Sequence, residues 1–378
     1  MSEAVVGSIV EHFGQVVDPR VERTKRHQLL DIITIAICAV IGGADDWVEV
    51  EQFGNDKLDW FRTFLRLPHG IPSHDTFGDL FARIDPAEFE RGFLSWVQTI
   101  AQLLPGEVIA VDGKQVRRSH DRTQGRSAIH MVSAWASRHR LVLGQVKVDE
   151  KSNEITAIPV LLQSLVLQGC IVTIDAMGCQ STIAETIVAQ QADYVLALKG
   201  NQGHLRDDVS DLFTTARADK FKDVPHDYVK TTDKDHGRIE TRRCWTISDP
   251  IELAYLRDLK DWPNLQSVMM LEATRRVGPS TTTEIRYYIS SLKPTAQQAL
   301  DIVRAHWGIE NQLHWVLDVA FREDDCRVHK GHGPQNFALL RHLALNLLKR
   351  ETSAKVGVKT KRHKAGWSTD YLRKVLTG

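Results

Sequence analysis

The hydrophobic rhythm of the chain changes several times along its length. Up to about residue 104 apolar residues recur at helical spacing, clearest in Leu29, Leu30, Ile33, Ile37, Val40 and Ile41, with Pro68, Pro72 and Pro86 separating the segments. This pattern predicts an all-helical N-terminal domain over residues 1–104. Within it, Pro72-Ser-His-Asp-Thr-Phe77 reads as a helix start, because Ser73 or Asp75 can accept hydrogen bonds from the free N–H groups of a first turn.

After Pro105 the texture becomes that of an α/β protein. Residues 108–112, 129–135 and 141–148 predict three strands in an antiparallel meander. A helix over 155–165, a strand over 170–175, a helix over 183–190 and a strand over 194–198 then alternate, which implies a parallel half of the same sheet. Between residues 226 and 293 strand patterns return at 228–232, 238–247, 267–276 and 283–290, and these predict a β-rich insertion. A long helical pattern covers 295–321 and another 337–349. The expected organisation is a mixed-sheet domain over 105–348, interrupted at about 226–293, with a basic tail over 349–378.

Composition narrows this picture only slightly. Apolar residues make up 42% and charged residues 25%, an ordinary globular mixture, and Lys+Arg equals Asp+Glu at 48 each. Attraction to a polyanion must therefore come from clusters, such as Arg20, Arg23, Lys25 and Arg26, or the nine Lys or Arg from Lys349 onward. Five scattered cysteines suggest free thiols. The longest apolar run, 32–41, is too short to span a bilayer, and no signal pattern opens the chain, so the expectation is a cytoplasmic protein without a membrane partner.

The chemistry concentrates on acids. Asp112 and Asp175 each close a strongly apolar strand pattern, where side chains of an open α/β sheet converge on a crevice, although a strand-end Asp can also be a turn former. At 100° per residue, Ile302, Ile309, Leu313, Val316 and Ala320 fall on one stripe and Glu310 at its border, so Glu310 is expected half-buried against the sheet. Three such carboxylates suit Mg²⁺ or Mn²⁺, and a pair of these ions suits phosphodiester chemistry. Cys326-Arg-Val-His329-Lys-Gly-His332 offers only three zinc-type ligands in one loop and no matched second pair, so it is read as a loop.

Five motifs then resemble a known family. Ile109-Ala-Val-Asp-Gly-Lys-Gln115, Thr173-Ile-Asp-Ala-Met-Gly-Cys-Gln180, Ala192-Asp-Tyr-Val-Leu-Ala-Leu-Lys-Gly-Asn-Gln202, His236-Gly-Arg-Ile-Glu240 and His306-Trp-Gly-Ile-Glu-Asn-Gln-Leu-His-Trp-Val-Leu-Asp318 look like those of ISAs-type insertion-sequence transposases, including the H-repeat-associated proteins of enteric bacteria. The resemblance covers essentially the whole chain. It implies an RNase H-like core with a β-rich insertion, a DDE triad of Asp112, Asp175 and Glu310, probable ligands for two Mg²⁺ or Mn²⁺ ions, and double-stranded DNA as partner, bound by a homodimer near the nucleoid. In related transposases an Arg precedes the Glu by four residues and a Lys follows it by seven; here those positions hold His306 and Leu317.

Lys199, Asn201, Gln202, His236, Arg238, Arg242 and Arg243 are candidates for phosphate contacts, since most hydrogen bonds that position a protein on a duplex go to its backbone. His306, Trp307 and His314 surround Glu310 at helical spacing and are further candidates for DNA contact, Trp307 by stacking and Trp315 by contrast as packing. Two other functions fit the same residues: a DNA-binding descendant without activity, and a metal-dependent nuclease without strand transfer.

Overall fold

A computed structural model of the chain describes residues 2–120, 125, 127–149, 152–235 and 237–377. Six helices come first: α1 (Ser2–Phe13), α2 (Leu29–Ile41), α3 (Trp47–Asp56), α4 (Leu58–Phe61), α5 (His74–Phe81) and α6 (Pro86–Ile100). Three strands follow, β1 (Val108–Gln115), β2 (His130–Ala136) and β3 (Leu141–Lys147), then α7 (Glu154–Gln163), β4 (Ile171–Ile174), α8 (Ser181–Ala189), β5 (Asp193–Leu198) and α9 (Gly203–Ala218). The expected insertion comprises β6 (Asp227–Asp235), β7 (Arg238–Ile247), α10 (Pro250–Leu253), β8 (Ser267–Val277) and β9 (Ser280–Ser290). The chain ends with α11 (Ala296–His306), a π-helical turn (Glu310–His314), α12 (Trp315–Phe321), α13 (Gly333–Arg350), α14 (Val358–Trp367) and α15 (Thr369–Thr377).

The strand order is β3-β2-β1-β4-β5-β9-β8-β7-β6. β1, β4 and β5 pair in parallel, whereas β2 with β3, β5 with β9, and the successive pairs among β9, β8, β7 and β6 are antiparallel. The inserted strands thus continue the sheet through β9 instead of forming a separate module. The chain divides into two compact units, and β1 passes from one to the other between Asp112 and Gly113.

One unit contains Leu103–Asp112 and Glu154–Ile309. Its parallel strands are apolar on both faces, as in the buried Val172, Ile174, Val195, Leu196 and Leu198, because helices cover them. Its core joins Val195, Met269, Leu271 and Tyr288 of the sheet to Leu300, Ile302 and Val303 of α11.

The other unit contains Met1–Gln102, Gly113–Asn153 and Glu310–Gly378. At its centre α2, buried from Asp31 to Ile41, packs against α13, buried from Gly333 to Leu348. A helix apolar all round needs neighbours on every side, and α2 finds them in segments far apart in sequence. Ser73 caps α5 by accepting from Thr76 N–H, one of the two caps its motif allowed. The basic stretch after Lys349 is folded as α14 and α15, and Arg362 of α14 is buried while donating to the carbonyls of Val40 and Ala44 at the end of α2. No helix among the described residues is long and apolar enough to cross a membrane.

Candidate active site

Asp112 and Asp175 owe their placement to strand register. Val111 of β1 lies opposite Ile174 of β4, so the next residue on each parallel strand, Asp112 and Asp175, comes side by side on the same face. β1 does not stop at Asp112 as its apolar run suggested; it continues three residues to Gln115. Both acids are half-buried. Asp175 Oδ1 accepts from the N–H groups of Met177, at 3.0 Å, and Gly178, at 3.4 Å, which folds the chain into a tight turn after β4. A Cβ on Gly178 would come within 2.3 Å of Ile174 Cγ2 and 2.9 Å of Ile158 Cδ1, so this turn needs glycine.

The turn is braced from the next strand end. Asn201 Nδ2 donates to Ala176 O at 2.7 Å and Gln202 Nε2 to Cys179 O at 2.9 Å. These two amides, expected at phosphates, are engaged in holding the loop that carries Asp175, while Lys199 beside them is exposed. His306, at the end of α11, shares a 3.0 Å hydrogen bond between Nδ1 and Thr173 Oγ1, two residues before Asp175.

Glu310 differs from its expected placement. Its side chain is 57% exposed, not half-buried, and it opens a π-helical turn. The uniform 100° spacing assumed an unbroken α-helix; a π turn inserts an extra residue and advances the phase of everything after it. His314 and Leu317 rotate onto the buried face as a result, and Trp315, expected to pack, is left 59% exposed. The His314 side chain is 5% exposed, and its Nδ1 lies 3.0 Å from Glu310 Oε2. Burial lowers the His314 pKa, against the pull of Glu310, and so favours the neutral ring.

Sequence reasoning missed a buried charge network in the same unit. Lys114 Nζ reaches Glu323 at 2.9 Å, bonds Asp318 on α12 and lies 3.9 Å from Asp324. Glu323 is also 3.6 Å from the buried Arg341 of α13. Burial opposes the charge on Glu323, yet Lys114 and Arg341 together hold its carboxyl below the usual range. Burial pushes His342 down to about 4. The signal was present in part: Lys114 and Asp318 both belong to motifs quoted above, but their partners Glu323 and Arg341 belong to none.

The inserted strands carry their cations largely compensated. Arg238 pairs with Glu240 at 2.9 Å, Arg242 with Asp233 at 2.7 Å and also with Glu240, and Arg243 with Glu272 at 2.6 Å. His236 lies outside the described residues. Trp307 is 43% exposed, and the Arg286 guanidinium sits 4.8 Å from its ring centroid. Of the N-terminal basic cluster, Arg20 is buried against Asp18 and Lys25 pairs with Glu22, leaving Arg23 and Arg26 exposed.

Residues 104–347 match the family model of the transposase DDE domain, and residues 10–97 match that of the DDE_Tnp_1-associated region. The chain belongs to the DDE transposase family. Among curated relatives, the "H repeat-associated putative transposase YhhI" of Escherichia coli strain K12 is 39% identical over 374 residues, 98% of each chain. The "Putative protein YbfL" of the same strain is 38% identical over 98% of each, and the "Putative transposase YncI" of E. coli O157:H7 is 39% identical over 98% of this chain and 95% of its own. Family membership and the H-repeat resemblance read from the five motifs thus agree, and DDE domains characteristically work with divalent metals.

Proposed function

We propose that the chain is a transposase that cleaves DNA at the ends of an insertion sequence and joins them to a target, using an RNase H-like core and the triad Asp112, Asp175 and Glu310. The observation that carries this reading is the register of β1 against β4, Val111 opposite Ile174, which makes neighbours of two carboxylates in a DDE domain. The donor set fits a hard divalent cation, since all three groups offer carboxylate oxygens and Glu310 is exposed to a ligand. Two Mg²⁺ or Mn²⁺ ions held there would supply charge stabilisation to the attacking and leaving oxygens of an in-line displacement.

The protein's own groups do the positioning. The Asp175 turn, braced by Asn201 and Gln202, presents that carboxylate in a fixed orientation. Lys199, exposed at the end of β5, faces a backbone phosphate, and Arg286 with Trp307 forms a cationic aromatic platform for an unpaired base. The proposed partner is double-stranded DNA, from both transposon ends and target, bound by a homodimer.

The test is cleavage and joining of end-containing duplexes in Mg²⁺ or Mn²⁺. The wild type is expected to yield both products, and D112N, D175N and E310Q neither, while all three retain DNA binding. Cleaved but unjoined ends would convert the reading to a nuclease, and sequence-specific binding without cleavage to an inactive descendant.

A further inference from the structure

The π-helical turn at Glu310–His314 brings together an exposed carboxylate and a buried imidazole. A carboxylate only accepts, so at 3.0 Å from Glu310 Oε2 the His314 Nδ1 carries the proton and donates it. Burial immobilises the donor: the ring is 5% exposed, whereas the Glu310 side chain is 57% exposed and otherwise free to choose among rotamers. The segment is also fixed one turn further on, where Lys114 holds Asp318 and the buried Glu323. π turns within helices recur at functional sites because they aim one side chain away from the helical phase.

We infer that His314 is a positioning residue, which orients the Glu310 carboxylate for a divalent cation instead of contacting DNA. The inference rests on the reading of Glu310 as a metal-holding group. Hydrogen-bond partners of ligating carboxylates fix the ligand's orientation before the ion arrives, and losing such a partner costs on the order of 10- to 100-fold in metal affinity.

The experiment is a calorimetric Mn²⁺ titration of the full-length protein without DNA, comparing wild type, E310Q, H314N and H314L. Asn and Leu are close in volume and vacate the same part of the ring's space, so their packing costs are similar; Asn alone keeps a donor near the Nδ1 position. H314L is expected to bind Mn²⁺ about tenfold more weakly, H314N close to wild type, and both to bind DNA like wild type in EDTA. Equal Mn²⁺ affinity in H314L, H314N and wild type, with E310Q weakened, would overturn the role of His314 and leave Glu310 intact. Equal weakening of H314L and H314N would also overturn it, because the donor would not matter. E310Q binding Mn²⁺ like wild type would instead remove the reading of Glu310 itself, and loss of DNA affinity in EDTA by H314L would return His314 to the DNA. A measurement on the unaltered protein stands beside these, in case H314L does not fold: in protein labelled with ¹⁵N-histidine, Mg²⁺ is expected to shift the His314 Nδ1 resonance, and an unmoved resonance at saturating Mg²⁺ contradicts the proposal.

Discussion

At the scale of single residues, the sequence identified the right chemical types more readily than their surroundings. Asp112 and Asp175 stood out because each closes an apolar run, and the β1–β4 register pairs them. Asn201 and Gln202 stood out equally, yet their amides hold the carbonyls of Ala176 and Cys179; whether an amide faces a phosphate or a neighbouring loop depends on contacts no local pattern records. Replacing either by Ala should therefore lower the cleavage rate through a looser Asp175 turn while leaving the salt dependence of DNA binding unchanged. K199M should do the reverse, flattening the slope of log affinity against log salt by about one unit with little effect on the rate at saturating DNA. A salt series of binding combined with single-turnover cleavage measures both. Gly178→Ala has a purely steric expectation: with Ile174 Cγ2 only 2.3 Å from the new Cβ, denaturant unfolding should report a loss of about 1–3 kcal/mol.

At the scale of elements, regular periodicity was legible and its interruptions were not. The strands of the parallel half and the four strands of the insertion lie close to where alternation and turn residues put them. The helix bearing Glu310 broke the expectation because a π turn is set by packing around His314 and Asp318, not by a residue preference visible in a window. α9, whose exposed residues outnumber its buried ones, gave too weak an apolar stripe to be recognised. The network behind α12 also makes a pH prediction. His342 is buried on α13 with its pKa lowered from 6.5 to about 4, so the folded state favours the neutral ring. The unfolded chain takes up a proton first as pH falls; this contribution is complete above pH 6.5 and is lost as pH falls toward 4, up to roughly 3 kcal/mol. Glu90, whose burial raises its pKa to about 8, works in the opposite direction, losing its contribution as pH rises from 4.5 toward 8. The effect of His342 is therefore isolated by the difference in unfolding free energy between wild type and H342L: the wild type should lose ground to the variant between pH 6.5 and 4, and a pH-independent difference would contradict the assignment.

At the scale of the whole molecule, the helical N-terminal segment does not stand by itself in the compact unit it joins. α2 contributes Ile32, Ile33, Ile35, Ile37, Val40 and Ile41, all buried, and each such side chain is worth about 1.5–3 kcal/mol. Removing residues 1–100 would strip α13 of this partner, so the truncated chain should fail to unfold cooperatively, and a DNA-binding role of this segment is better tested through the exposed Arg23 and Arg26. That dependence was invisible in a linear reading, because helical periodicity tells which face is apolar but not that its partner lies three hundred residues away. The neutral net charge likewise becomes intelligible only in three dimensions, with Arg238, Arg242 and Arg243 compensated by neighbouring acids. The central claim, that three carboxylates in a DDE domain perform metal-dependent DNA cleavage and joining, is tested most directly by incubating D175N and wild-type protein with end-containing duplex in Mg²⁺ and resolving the strands on a denaturing gel. The account predicts cleaved and joined strands from the wild type and intact duplex from D175N at equal DNA occupancy; cleavage by D175N at the wild-type rate would contradict it.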